Sequence, residues 1–141
     1  MASFQAYNKL IISEEDGLKL YRCGDAVLGY EFKCQYPSYR GTYLSCIEGF
    51  EVVVDGKKVP DDSVFILLNG KSFLISQLAD LYMEYWYILD KATIRVIDLN
   101  GLSAGEHAIT VNIRHRIPYT GYGGNHLVLD GTNTKVMTIE A

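Results

Sequence analysis

The chain has 141 residues, 48% of them apolar, and a formal net charge of −4. That length bounds one domain with a real core, and an acidic balance without a basic patch excludes nucleic acid and anionic membranes as expected partners. The opening stretch MASFQAYNKLIISEEDG has no basic start and no sustained apolar run, so neither a signal peptide nor a membrane anchor is expected; Cys23, Cys34 and Cys46 are odd in number and lack a CxxC, which argues against a disulfide framework or a zinc site and for a reducing, cytoplasmic setting.

Taken in chain order, residues 1–24 are more polar and less periodic than the rest and are read as an edge strand or an interface arm. VLGYEFKCQY then alternates strictly. Leu28, Tyr30, Phe32, Cys34 and Tyr36 share one face and Val27, Gly29, Glu31, Lys33 and Gln35 the other, the signature of a half-buried strand. IEGFEVVVDGKKVP predicts a strand with Phe50, Val52 and Val54 inward, ending in an Asp55-Gly56 hairpin turn; VFILLNGKSFLI predicts a hairpin around Asn69-Gly70. In SQLADLYMEYWYIL, Ser76 is expected to cap a short helical turn from Gln77 to Tyr82, while Tyr85-Trp86-Tyr87 reads as strand. ATIRVIDL is a strand. GLSAGEHAITVNIRHRIP is a loop and a long strand, with Ile109, Val111, Ile113 and Ile117 on one face and Thr110, Asn112, Arg114 and Arg116 on the other. NTKVMTIEA supplies the last strand. Seven to nine short strands with turn signals about every ten residues predict an all-β fold: one antiparallel β-sandwich over 1–141, immunoglobulin-like or jelly-roll-like, with one short helical turn.

The candidate chemistry is thin. No two histidines stand at metal-ligand spacing. His115 falls on the apolar face of its strand and is read as a satisfied core or interface histidine. His107, beside Glu106 at a strand start, is read as solvated, which leaves His126, behind the glycine loop, as the best of the three for function. No GxSxG, phosphate loop or dinucleotide fingerprint is present, and no carboxylate pair is distinctive. What stands out is polar and aromatic: YPSYRGTYLS at 36–45 and NIRHRIPYTGYGGNH at 112–126, both where a strand runs into a loop. Eleven tyrosines exceed what a core needs, and tyrosine with arginine anchors interfaces. Tyr36, Tyr39, Arg40, Arg114, Arg116, Tyr119, Tyr122 and His126 are the resulting candidates for a substrate pocket or a subunit interface; no residue is expected to be catalytic or to bind metal. The plainer reading of Arg114 and Arg116 is a solvated outer face, paired to carboxylates on neighbouring strands.

Three ordered segments, GYEFKCQYPSYRGTYLSCIEGFEVVVDGKKVP, LLNGKSFLISQL and GLSAGEHAITVNIRHRIPY, resemble the small β subunit of the bacterial C-glycoside deglycosidases. The most specific pieces are P-x-Y-R-G-x-x-L-S at Pro37 to Ser45, its spacing to VDGKKVP, and the G-L-x-x-G-E-H entry to the long strand. The likeness covers roughly residues 25–120 and is looser outside. It implies a β-sandwich subunit, inactive alone, in a heteromeric complex with a larger catalytic α subunit, an isomerase- or epimerase-like barrel holding a divalent metal, manganese by expectation, and no cofactor in this chain. The implied reaction is carbon–carbon lysis of a 3-oxo C-glycoside, such as a flavonoid glycoside. A ketone at C3 acidifies the C2 proton, a base removes it, and elimination expels the aryl carbon of the aglycone. The alternatives are a free-standing carbohydrate-binding sandwich, with tyrosines and Trp86 stacking on sugar, and a purely structural module.

Overall fold

The structure is a computed structural model that describes residues 5–117 and 127–140. Among them, eleven strands and four short 3-10 turns appear in the order β1 (Lys19–Cys23), β2 (Ala26–Cys34), β3 (Thr42–Tyr43), β4 (Ile47–Val54), β5 (Lys57–Lys58), β6 (Val64–Leu68), β7 (Lys71–Leu74), β8 (Tyr85–Trp86), β9 (Ala92–Ile97), β10 (Gly105–Ile117) and β11 (Leu127–Ile139). Every strand pairing is antiparallel. One sheet runs β1-β2-β9-β6-β7, the other β11-β10-β4-β5, and β3 with β8 forms a separate two-stranded ribbon. The chain crosses repeatedly between sheets, and one apolar core draws Phe32, Ile66 and Ile94 from the first and Val52, Val111 and Met137 from the second. This is the expected all-β sandwich.

The alternation read from the sequence carries over to burial. Tyr30, Phe32, Cys34 and Tyr36 point inward, as do Phe50, Val52 and Val54, and along β10 every second residue from His107 to Ile117 is buried. Both predicted hairpin turns have positive φ at each central residue: Asp55 (51°) with Gly56 (81°), and Asn69 (57°) with Gly70 (74°). This is the conformation that matches the twist of the flanking strands. The helical turn is 3-10, from Ile75–Asp80, and starts earlier than expected. Its capping acceptor is the Gln77 side chain, whose Oε1 accepts from the Leu74 N–H at 2.9 Å, and not Ser76.

The described part of residues 1–24 holds both an edge strand and a buried segment. Lys19–Cys23 is an edge strand of the first sheet. Residues 11–13, in contrast, are built into the core of the molecule: Ile11 and Ile12 are fully buried. The backbone of this segment pairs with the end of β2 (Ser13 N–H to Lys33 O, 2.9 Å; Gln35 N–H to Ile11 O, 2.8 Å), while Asn133 Oδ1 and Lys135 Nζ of β11 bond the Ile12 N–H (3.0 Å) and C=O (2.7 Å). A short segment thus clips one sheet to the other and covers part of the β11 edge, which would otherwise be open to strand addition. Polar sequence hid it because its two isoleucines are adjacent and give no period.

Sheet spacing leaves no room at Gly29, where a Cβ would sit 1.8 Å from the carbonyl oxygen of Val96 on β9. Gly29→Ala must therefore part β2 from β9. The expected cost is about 3 kcal/mol or more, at the upper end for overpacking, read as a lowered urea midpoint; an unchanged midpoint would show that the strands can yield.

Candidate functional site

The inward row of β2 ends in Tyr36, and there the apolar core turns polar. The Tyr36 hydroxyl is hydrogen-bonded to Nδ1 of His115 on β10, the two rings meet edge-on at 4.8 Å, and the indole of Trp86 lies against Tyr36 at 5.6 Å. All three are buried. Burial pushes the His115 imidazole down to about 4, so it is neutral at physiological pH. In the neutral ring, Nδ1 accepts from the tyrosine hydroxyl in one tautomer and donates to it in the other. Trp86 Nε1–H donates to the Asp90 carbonyl at 2.9 Å. Thr42, the cross-strand partner of Trp86, has a buried hydroxyl with no hydrogen-bond partner among the described residues.

Beyond Tyr36 the chain turns through buried Pro37 and Ser38 and emerges with Tyr39 and Arg40 exposed. Gly41 follows, and its role differs from the expected conformational one. Its φ is not positive; a Cβ there would lie 2.3 Å from the Trp86 carbonyl oxygen. Gly41 is needed because β3 presses directly on β8. The ribbon is short, with Thr42 opposite Trp86 and Tyr43 opposite Tyr85.

The structure therefore divides the sequence-predicted candidates. Tyr36 is in the core and is joined to His115, in line with the core reading of that histidine. Tyr39 and Arg40 are exposed in the loop above them. Arg114 and Arg116 project from the outer face of the second sheet, the side opposite His115. Arg116 pairs with Glu48 at 3.6 Å, as the plain reading has it, and the Arg114 guanidinium lies across Gly49. Tyr119, Tyr122 and His126 lie outside the described residues. Trp86 is fully buried, which removes it as a sugar-stacking platform.

His107 corrects the expectation of a solvated side chain. It is buried, with Nδ1 2.6 Å from Asp55 Oδ2 and Nε2 2.7 Å from the Ser103 carbonyl. An acceptor on each ring nitrogen favours the doubly protonated ring; the Asp55 hydrogen bond raises the His107 pKa and in return lowers that of Asp55. This pair locks the β4–β5 turn to the start of β10. A cleft of about 500 Å³ opens nearby between Tyr30, Lys57, Lys58 and Asp98 and contains none of the predicted site residues. Among the described residues no three His, Cys, Asp or Glu side chains are grouped to hold a metal ion.

Sequence reasoning missed a feature of the ribbon's outer side. Tyr43, Tyr82, Met83, Tyr87 and Leu89 are all exposed. The signal was present in YMEYWYIL, where Trp86 inward implies Tyr85 and Tyr87 outward.

Among the described residues, this small antiparallel sandwich engages His107 and His115 internally and shows aromatic and aliphatic groups on the outer side of its ribbon. The family profile described as C-glycoside deglycosidase beta subunit matches residues 7–119, and the chain belongs to that family. It is 35% identical over 102 residues (72% of this chain, 77% of the relative) to the C-glycoside deglycosidase beta subunit of Microbacterium trichothecenolyticum. It is 31% identical over 112 residues (79% and 84%) to the 3'-dehydrocarminate deglycosidase beta subunit of a Microbacterium species. Against the beta subunit of Arthrobacter globiformis the figures are 30% over 122 residues, 85% and 90%.

The neutral, buried His115 makes stability acid-sensitive in a defined window. Its folded pKa is below the usual 6.5, so its contribution is full above that value and is lost as pH falls towards about 4. From pH 7 to pH 5 that loss amounts to roughly 2 kcal/mol. Tyr36→Phe/His115→Leu, which removes both polar partners together, should lose about that much less than wild type over the same interval in urea titrations. Parallel losses would mean that His115 titrates as if exposed.

Proposed function

We propose that this chain is the accessory subunit of an enzyme that cleaves the carbon–carbon bond between a 3-oxo sugar and an aromatic aglycone, with the base and the metal supplied by a larger partner subunit. The observation that carries this reading is the family match over residues 7–119. The name of the Microbacterium relative, which acts on 3'-dehydrocarminate, supports a substrate already oxidised at C3. The chemistry requires that oxidation. An aryl carbon is a poor leaving group, and only a ketone at C3 makes the C2 proton acidic enough for a base to start the elimination.

On this reading the chain provides no reacting group. It supplies a rigid wall that orders the partner and excludes water where the two meet, and Arg40, exposed beside Gly41, meets a partner carboxylate or the substrate. A soluble, cytoplasmic heteromer is part of the proposal; no helix among the described residues is long and apolar enough to cross a membrane.

Mixed at micromolar concentration, this chain and the larger C-glycoside deglycosidase subunit of the same organism should elute together and release aglycone from a 3-oxo C-glycoside, while this chain alone releases none. Turnover by the single chain, or separate elution, would overturn the proposal. Arg40→Ala should weaken assembly or turnover by roughly 2–5 kcal/mol, the range for a desolvated charge pair, while leaving the sandwich folded. Full activity would return Arg40 to the solvated surface.

A further inference from the structure

Resting on the accessory-subunit reading, we infer that the outward side of the β3–β8 ribbon and its two flanking turns form the surface on which the larger subunit docks, and that the partner meets it with an apolar hollow rimmed by basic groups. In a ribbon, side chains alternate between faces. Thr42 and Trp86 point inward, so Tyr43, Tyr85 and Tyr87 point outward, and the Tyr43 and Tyr85 rings pack edge to face at 5.0 Å. The turns add Tyr82 (72% exposed), Met83 (76%) and Leu89 (73%), and the preceding loop adds Tyr39 (62%). Among the described residues four other large apolar side chains are exposed: Leu10, Leu99 and, nine residues apart along β11, Leu127 and Val136. Scattered exposure of that kind is ordinary; a contiguous aromatic and aliphatic patch marks an interaction site.

The patch is also pre-ordered. The Leu44 N–H donates to Glu84 O at 2.8 Å, the Ser45 N–H to Leu81 O at 3.3 Å, and the Asp90 N–H to Tyr87 O at 2.9 Å, while buried Trp86 fixes the ribbon from beneath. Little conformational freedom remains to be lost when a partner binds. Tyrosine, methionine and leucine on a fixed scaffold are the composition of an interface centre.

Charge identifies the occupant. Asp80 and Asp90 bracket the segment, are exposed, and make no ion pair among the described residues. Residues 80–90 carry Asp80, Glu84 and Asp90 and no Lys or Arg, so two copies joined through this segment would set like charges together. A different chain with basic groups at the rim completes them. The family name, a beta subunit, supplies such a chain.

The test uses the full-length chain and the larger C-glycoside deglycosidase subunit of the same organism. Met83→Glu/Leu89→Glu should weaken co-elution roughly a hundredfold, while Val136→Glu, an equally drastic change on the exposed side of β11, co-elutes like wild type. A photo-reactive phenylalanine analogue in place of Met83 should cross-link to the larger subunit, and the same group in place of Val136 should not; this arm stands even if the charged variant folds poorly. Normal co-elution of Met83→Glu/Leu89→Glu, or cross-linking from position 136 and not from 83, would overturn the docking surface while leaving the accessory role intact. Homodimers of the single chain that the charged variant dissolves would overturn it by naming a second copy as the occupant. If wild type itself fails to co-elute, the accessory-subunit reading falls instead.

Discussion

The buried contact among Trp86, Tyr36 and His115 is the constraint on which the end of the molecule depends. A ribbon of two residue pairs has no stability of its own in water. β3 and β8 persist because Trp86 is fully buried against the Tyr36 ring and Tyr36 is tied to His115 in the middle of the second sheet. The first sheet delivers Tyr36, the second delivers His115, and the ribbon closes over both. Gly41 permits that closure, since any side chain there would strike the Trp86 carbonyl. What the ribbon shows on its outer side is thus positioned by what it buries on its inner side.

The two buried histidines are held by opposite means. His115 is uncharged in an apolar setting and bonds to a neutral hydroxyl. His107 sits between a carboxylate and a carbonyl, which favour its protonated form. Acid therefore weakens the Tyr36 junction, whereas alkali weakens the link between the β4–β5 turn and β10. The sandwich is best satisfied between these limits. In neither case is the imidazole offered to solvent.

Strand positions were legible wherever one face is buried and the other solvated, because period-two alternation follows directly from that arrangement. β2, β4, β6, β9 and β10 all read correctly, as did the turns at Asp55-Gly56 and Asn69-Gly70. The clip at Ile11–Ser13 was not legible: it bonds along its backbone to distant strands, and backbone pairing leaves no mark on side-chain order. The candidate site was half legible. In the segment at 36–45, Tyr36 lies in the core, as its inward parity with Phe32 and Cys34 has it, while Tyr39 and Arg40 are exposed. His107 was misread because its partner, Asp55, is 52 residues away in sequence. In the sequence Tyr82 reads as the end of a helical turn and Tyr85-Trp86-Tyr87 as strand formers, for tyrosine serves both strand and surface roles and only the burial of Trp86 separates them.

The central claim is that the face held up by Trp86 is the face that a partner subunit covers. Amide hydrogen exchange on the full-length chain, free and in complex with the larger C-glycoside deglycosidase subunit, measures this directly. The account predicts added protection concentrated in residues 39–45 and 81–90, with the outer face of β10 and β11 around Asn112, Arg114 and Thr132 unchanged. Protection confined to that outer face, with 81–90 exchanging as in the free chain, would contradict it.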